Sequence, residues 1–216
     1  MSGAHFPDAV PVLHAGDYTL RPWSPDDAGD YYAWMSDPDV WRYLGLPAEC
    51  RADAEGEIAR FIGQVERGSA VRWAVEDTRS GRVVGRCHFF RWDGRHAKAS
   101  LGYALAKSHW GQGVTTLVVR TALEWGFGDD GPGLHRVEAA AALSNVASTR
   151  LLAKMGFKSE GVLREYRECA DGYEDFGVYG LLRPEWTAAR EAEAATRGAS
   201  VGRSAQTCGG RSHASW

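Results

Sequence analysis

Two glycines two positions apart open the chemistry of this chain. They lie in the run Trp110-Gly111-Gln112-Gly113-Val114-Thr115-Thr116, between a strand-like segment and a helix-like one. Without Cβ atoms the backbone there can approach a ligand closely, and the first turn of the helix that follows offers unpaired N–H groups at the positive end of its dipole. That is a pyrophosphate cradle built from main-chain donors. The dinucleotide fingerprint G-x-G-x-x-G is not met, because Thr116 stands at its third glycine, and there is no Gly-Lys-Ser/Thr of a nucleoside triphosphate loop. Judged alone, the pair fits turn geometry as well as it fits anion binding. A second cluster follows at Asn145 and Ser148, three positions apart and so one helical turn from each other on roughly one face. Asn145 suits an N-cap, and capping alone accounts for this pair as well as chemistry does. Groups able to take a proton from an amine are Glu165, Glu168, His88, His96, His109 and His135.

The elements that would hold these residues follow from periodicity. Residues 1–11 read as a flexible lead-in, and 12–23 as a first strand. Ser24-Pro25-Asp26-Asp27 starts a helix, with a capping Ser, Pro at the first helical position and acids in the first turn. A short helix near 40–44 and an amphipathic one over 51–67 come next, the latter carrying Ile58, Phe61, Ile62 and Val65 at helical spacing. Strands over 71–75, 83–92 and 99–106, joined by turns at Ser80-Gly81 and Asp93-Gly94, form an antiparallel meander. The pattern then alternates: helix 113–127, strand 134–141, helix 145–155, strands 158–167 and 173–182. This is an α/β chain with a mixed sheet and helices on its faces. A single domain over 12–186 results. Residues 187–195 are Ala, Glu and Arg rich and able to extend as a helix, but 187–216 as a whole reads as a disordered C-terminal tail.

Bulk composition excludes several classes. A chain of 216 residues with 44% hydrophobic and 25% charged residues is ordinary for a globular protein. A net charge of −3 argues against wholesale nucleic-acid binding. Cys50, Cys87, Cys169 and Cys208 show neither CxxC pairing nor metal-ligand spacing, which fits a reduced, cytoplasmic protein without a metal. No signal peptide and no membrane-spanning run is expected.

Taken in order, the motifs resemble a known family. They are Gly102-Tyr103-Ala104-Leu105, Trp110-Gly111-Gln112-Gly113, Leu134-His135-Arg136-Val137-Glu138, Asn145-x-x-Ser148, and Gly156-Phe157-x-x-Glu160-Gly161-Val162-Leu163-Arg164-Glu165. This set is similar to the GNAT superfamily of acyl-CoA N-acyltransferases, and within it to the RimJ/RimL branch, which acetylates protein N-terminal amines and has relatives acting on small amines. Leu20-Arg21-Pro22-Trp23 and Tyr173-Glu174-Asp175-Phe176-x-x-Tyr179 suit the same branch, so the likeness runs over about residues 17–186.

The resemblance implies a central mixed, mostly antiparallel sheet flanked by helices, and acetyl-CoA as co-substrate. It implies that the strand carrying Ala104 and Leu105 splays from its neighbour and pairs with the pantetheine arm. Backbone amides of Gly111, Gln112, Gly113, Val114, Thr115 and Thr116 would take the pyrophosphate, Asn145 would hydrogen-bond the pantetheine, and Ser148 would protonate the departing thiolate. A backbone N–H near Leu105 would serve the oxyanion, and Lys154 would approach the adenosine phosphates. Some relatives carry a carboxylate base where Glu165 stands, and Glu165 is preferred here over Glu168; in a regular strand the two point to opposite faces. The acceptor, a protein N-terminus or a small-molecule amine, would meet Trp34, Trp41, Tyr43, Trp92 and Tyr166. One departure stands out: where relatives commonly have Ala-x-Glu-Ala after the turn, this chain has Thr115-Thr116-Leu117-Val118. Two other readings stay open: another acyl donor such as an aminoacyl-tRNA, and a non-catalytic amine-binding protein. Monomer and homodimer are both compatible with the sequence.

Overall fold

A computed structural model describes residues 5–44, 48–169 and 172–205, with side chains described as far as Thr196. The elements in chain order are β1 (Leu13–Ala15), β2 (Tyr18–Pro22), α1 (Ala28–Met35), α2 (Pro38–Trp41), α3 (Arg51–Glu66), β3 (Ala70–Asp77), β4 (Arg82–Asp93), β5 (Lys98–Leu105), α4 (Val114–Phe127), β6 (Arg136–Ala142), α5 (Val146–Lys154), β7 (Lys158–Cys169), β8 (Gly172–Leu182) and α6 (Arg183–Ala205). The strands make one sheet in the order β1-β2-β3-β4-β5-β6-β8-β7. Its pairings are antiparallel except β5 with β6, which is parallel.

Alternation along β3 and β4 divides the core. Trp73 faces Cys87 and Val71 faces Phe89 across the pair, on the side covered by α4. There Trp73 meets Trp125 of α4 edge-on, ring centroids 5.2 Å apart. On α4, Val114, Val118, Ala122 and, one position round, Val119 and Leu123 are buried, a stripe at helical spacing. On the other side Arg72 faces His88 and Ala74 faces Arg86. That face lies toward α1 and α3, whose Tyr31, Trp34, Ile58 and Phe61 are buried.

The sequence expectation is met in element type and order, with three differences. The strand expected over 12–23 is a hairpin, because Gly16 at φ 59° turns the chain so that Ala15 pairs with Tyr18. The lead-in over 5–11 is packed: Phe6 sits edge-on to Trp92 at 5.3 Å, and the Trp73 indole N–H donates to the Pro11 carbonyl at 2.8 Å. The tail expected from 187 is helical to Ala205. Strong helix formers supply the propensity, and Arg190 anchors it to α4 through Glu124 at 2.7 Å while lying over Trp186. Residues 206–216 of that expected tail, with Cys208, lie outside the described residues. No disulfide joins Cys50, Cys87 or Cys169. Among the described residues no helix is long and apolar enough to cross a membrane.

Candidate functional site

The site begins where the sheet comes apart. Strands β5 and β6 pair from Lys98 with Arg136 to Ser100 with Glu138, and no further. On its other edge β5 stays paired with β4, and Ala106 N donates to Val84 O at 2.7 Å just beyond the strand's end. Alternation of the antiparallel ladder then leaves the main-chain groups of Leu101, Tyr103 and Leu105 facing the gap. In keeping with this, the Leu105 carbonyl accepts from the Trp110 indole N–H at 2.7 Å rather than from a strand. A cleft of about 1140 Å³ occupies the gap and reaches both faces of the sheet.

One wall is the turn into α4. Gly111 and Gly113 adopt φ 72° and 79°, where a side chain is strained, and a Cβ built on either would meet nothing within 4 Å. These glycines therefore serve backbone conformation, and the space above them is open. Gly113 caps α4 without a side chain, and the first turn of the helix holds no acid. Its leading N–H groups are thus uncapped, and Leu117 in the first turn leaves them without a competing negative charge. Gly111, Gly113, Val114, Thr115 and Thr116 line the cleft, as do Ala104 and Leu105. Gln112 does not; its amide donates back to the Ser108 carbonyl at 2.9 Å.

The facing wall is α5. Asn145 caps it, its Oδ1 accepting from Ser148 N at 3.1 Å. The Ser148 hydroxyl lies 2.8 Å from the Tyr103 hydroxyl of β5, so the two walls meet across the cleft. Burial pushes the Tyr103 phenol up to about 12, with the Ser148 bond acting weakly the other way. The phenol therefore keeps its proton through the physiological range. Lys154, exposed in the last turn of α5, is not among the lining residues.

The third wall is the α1/α3 face of β3 and β4, with Arg72, Arg86, His88 and Phe90, joined by Tyr43 and Tyr166. Burial first, and then the fields of Arg72, Arg86 and Arg60, hold His88 well below the usual histidine range, so its imidazole is neutral. Its ring covers Gly102, where a Cβ would come within 2.5 Å of Nε2.

Several sequence-nominated residues lie elsewhere. Glu165 is exposed and outside the cleft lining. From Leu163 to Arg167 β7 advances four residues while β8 moves two, Phe176 to Glu174, so the strand bulges there. Glu165 sits in that bulge at φ 46°, its N–H donating to Asp175 Oδ1 at 2.8 Å. The alternation argument for Glu165 and Glu168 assumed a regular strand; both are exposed, and the bulge instead brings Tyr166 and Arg167 to the cleft. Trp34 is a core residue, edge-on to Tyr31 at 5.1 Å, and Trp41 and Trp92 pack against the core without lining the cleft. His96 and His135 are exposed outside the lining, whereas His109 lines it close to the turn. Sequence reasoning missed Arg72, Arg86 and the Tyr103 hydroxyl. Arginine inside apolar strand runs, Val71-Arg72-Trp73 and Gly85-Arg86-Cys87, was the available signal, since a buried strand tolerates a charge poorly.

Comparison with known proteins agrees with this geometry. A family model described as "Acetyltransferase (GNAT) domain" matches residues 17–158. An uncharacterized N-acetyltransferase of Bacillus subtilis, YoaA, is 32% identical over 175 residues, covering 81% of this chain and 98% of its own length. The [ribosomal protein uS5]-alanine N-acetyltransferase of Escherichia coli is 26% identical over 175 residues, covering 79% of each. Among solved structures, Mycobacterium smegmatis RimJ in complex with CoA-disulfide superposes with a TM-score of 0.75 at 25% identity, covering 91% of this chain and 98% of its own.

Proposed function

The chain belongs to the GNAT family of acetyl-CoA-dependent N-acetyltransferases, and from that premise we propose that it acetylates a primary amine by direct attack within the cleft between β5 and β6. The observation that carries the reading is the coincidence, in one cavity, of a glycine cradle open above its backbone with an unpaired strand edge and a capped helix carrying Ser148.

These features fit the donor. Acetyl-CoA supplies an acyl thioester joined through an extended, amide-bearing arm to a pyrophosphate. The Leu101 carbonyl and the main-chain groups of Tyr103 bind such an arm as an added strand would, and the first-turn N–H groups of α4 hold the phosphates. Thr115 and Thr116 add hydroxyl donors, and Asn145 contributes its side-chain amide to the arm. Toward the reacting centre, the Leu105 N–H stabilises the negative charge that develops on the carbonyl oxygen. Ser148 Oγ gives a proton to the departing sulfur, and Tyr103, kept protonated by burial, fixes that hydroxyl in place.

On the acceptor side an alkylammonium must lose a proton before it attacks. His88, on the α1/α3 face, orients the amine or a water that carries the proton out of the cleft and does not itself keep that proton, because the burial and arginine fields that hold its ring neutral oppose the imidazolium. Glu165, the sequence-based choice, is set aside because it lies outside the cleft.

The test is acetyl-CoA turnover, read as free thiol release, against peptides of varied N-terminal residue, aminated antibiotics, polyamines and amino acids, with calorimetry for acetyl-CoA itself. Amine-dependent thiol release supports the reading. No acetyl-CoA binding at high micromolar concentration overturns it.

A further inference from the structure

The acceptor wall carries positive charge that nothing in the described protein neutralises. Arg72 is 8% exposed. Its Nε, like Arg86 Nε and His88 Nδ1, is buried without a hydrogen-bond partner. Among the described residues no carboxylate forms an ion pair with Arg72 or Arg86. Glu57 favours the charge on Arg72 from a distance, but both its oxygens are held by Arg60, at 3.2 and 2.5 Å. The acids that line the cleft are engaged elsewhere, Asp39 with Lys107 at 2.5 Å and Glu138 with Arg136 at 2.9 Å. Arg72 lies over the Phe61 ring at 4.6 Å, and Arg86 Nη1 donates to the Tyr31 hydroxyl at 3.0 Å. Both guanidiniums are thus held in place while their charge goes unanswered. Desolvation and the mutual repulsion of these arginines bring Arg72 down to about 10.

A buried cation without a counter-ion is costly, and a chain of net charge −3 has acids enough to supply one. We propose that the acceptor is a small primary amine that also carries an oxyanion, and that Arg72 and Arg86 seat that oxyanion on the α1/α3 face of the cleft. Two guanidinium forks suit the paired oxygens of a carboxylate and accommodate a phosphate by the same chemistry. The seat lies on β3 and β4, with Arg86 paired across the ladder to Ala104 of β5, and it lines the same cleft as Leu105 and Ser148, so it would hold the amine within the cavity where the thioester is assigned. This rests on the transferase reading above and adds the substrate class to it.

Matched amines with and without the anion test it: L-phenylalanine against 2-phenylethylamine, L-leucine against isoamylamine, and O-phosphoethanolamine against ethanolamine. Each is assayed for thiol release, and each is titrated calorimetrically into the enzyme without acetyl-CoA. The anionic member is expected to exceed its partner by about 30-fold in kcat/KM, mostly through KM. The first two pairs against the third show whether carboxylate or phosphate is preferred. R72M and R86M abolish the preference with thermal stability kept or raised, and R72K, which keeps charge but loses the fork, retains part of it. Equal turnover within every pair, or a preference that survives both methionine variants, overturns the seat while leaving the transferase intact. Binding of anionic amines to the free enzyme with no thiol release from any amine keeps the seat and overturns the transferase reading.

Discussion

The two ends of the cleft are built from different materials. At the turn into α4 the groups that face the cleft are main-chain: left-handed glycines, uncapped N–H groups and the free edge of β5. On the α1/α3 face they are side chains, Arg72 from β3 and Arg86 and the neutral His88 from β4, and the charge of the two arginines is unbalanced. A backbone site depends on conformation, so many sequences can make it, provided a few positions permit the required φ. A side-chain site depends on residue identity and can change while the fold stays fixed. The donor end therefore suits a cofactor shared across a family, and the acceptor end suits discrimination among amines.

Substitutions that affect one end alone test this division. The largest effect is expected from G113V. A β-branched residue at φ 79° strains the backbone by a few kcal/mol, so the Kd for acetyl-CoA should rise by about 100-fold, measured by calorimetry, for every amine alike. Equally large is the expected effect of S148A on the chemical step, about 100-fold in kcat with KM for acetyl-CoA within about twofold. Y103F should cost less, about 10-fold in kcat, because it removes the partner of Ser148 rather than the proton donor itself. If Y103F instead costs more than S148A, the two roles are reversed.

R72M sharpens the comparison through stability. The folded state holds Arg72 near 10 against an ordinary 12.5, so folding disfavours its charged form. That penalty, on the order of 3 kcal/mol, is fully present below pH 10 and disappears as pH rises from 10 toward 12.5. R72M should therefore melt higher than wild type at pH 7, by roughly 3–8 °C, and the gap should narrow at pH 11. A lower melting temperature at pH 7 would mean that Arg72 is a packing residue first. The smallest effect is expected from E165Q: less than about twofold in kcat, since Glu165 is exposed in the β7 bulge.

This contrast also explains what could be read from the chain. Gly111, Gly113, Asn145 and Ser148 were visible because a main-chain cradle and a helix cap need particular residues at short, fixed spacings. The order of strands and helices was visible for the same reason, through hydrophobic period. Arg72 and Arg86 stand fourteen positions apart and meet only through the register of β3 with β4, which no local pattern encodes. Glu165 was nominated from the resemblance, and a strand read as regular hides that β7 bulges between Leu163 and Arg167 and turns this residue away from the cleft. The tryptophans were assigned to the pocket from their type and from the elements that the resemblance places around the acceptor. Trp34 shows why type is insufficient: its buried ring packs edge-on against Tyr31 and does not line the cleft.

The central claim is that acetyl-CoA occupies the gap between β5 and β6 with its phosphates on the turn into α4. Amide hydrogen exchange with and without acetyl-CoA tests it most directly. Protection is expected at Tyr103 and Leu105 and at Gly113–Thr116, with β3 unchanged until an anionic amine is added. Binding without protection of either segment, or with protection confined to the Arg72–Arg86 face, would contradict the account.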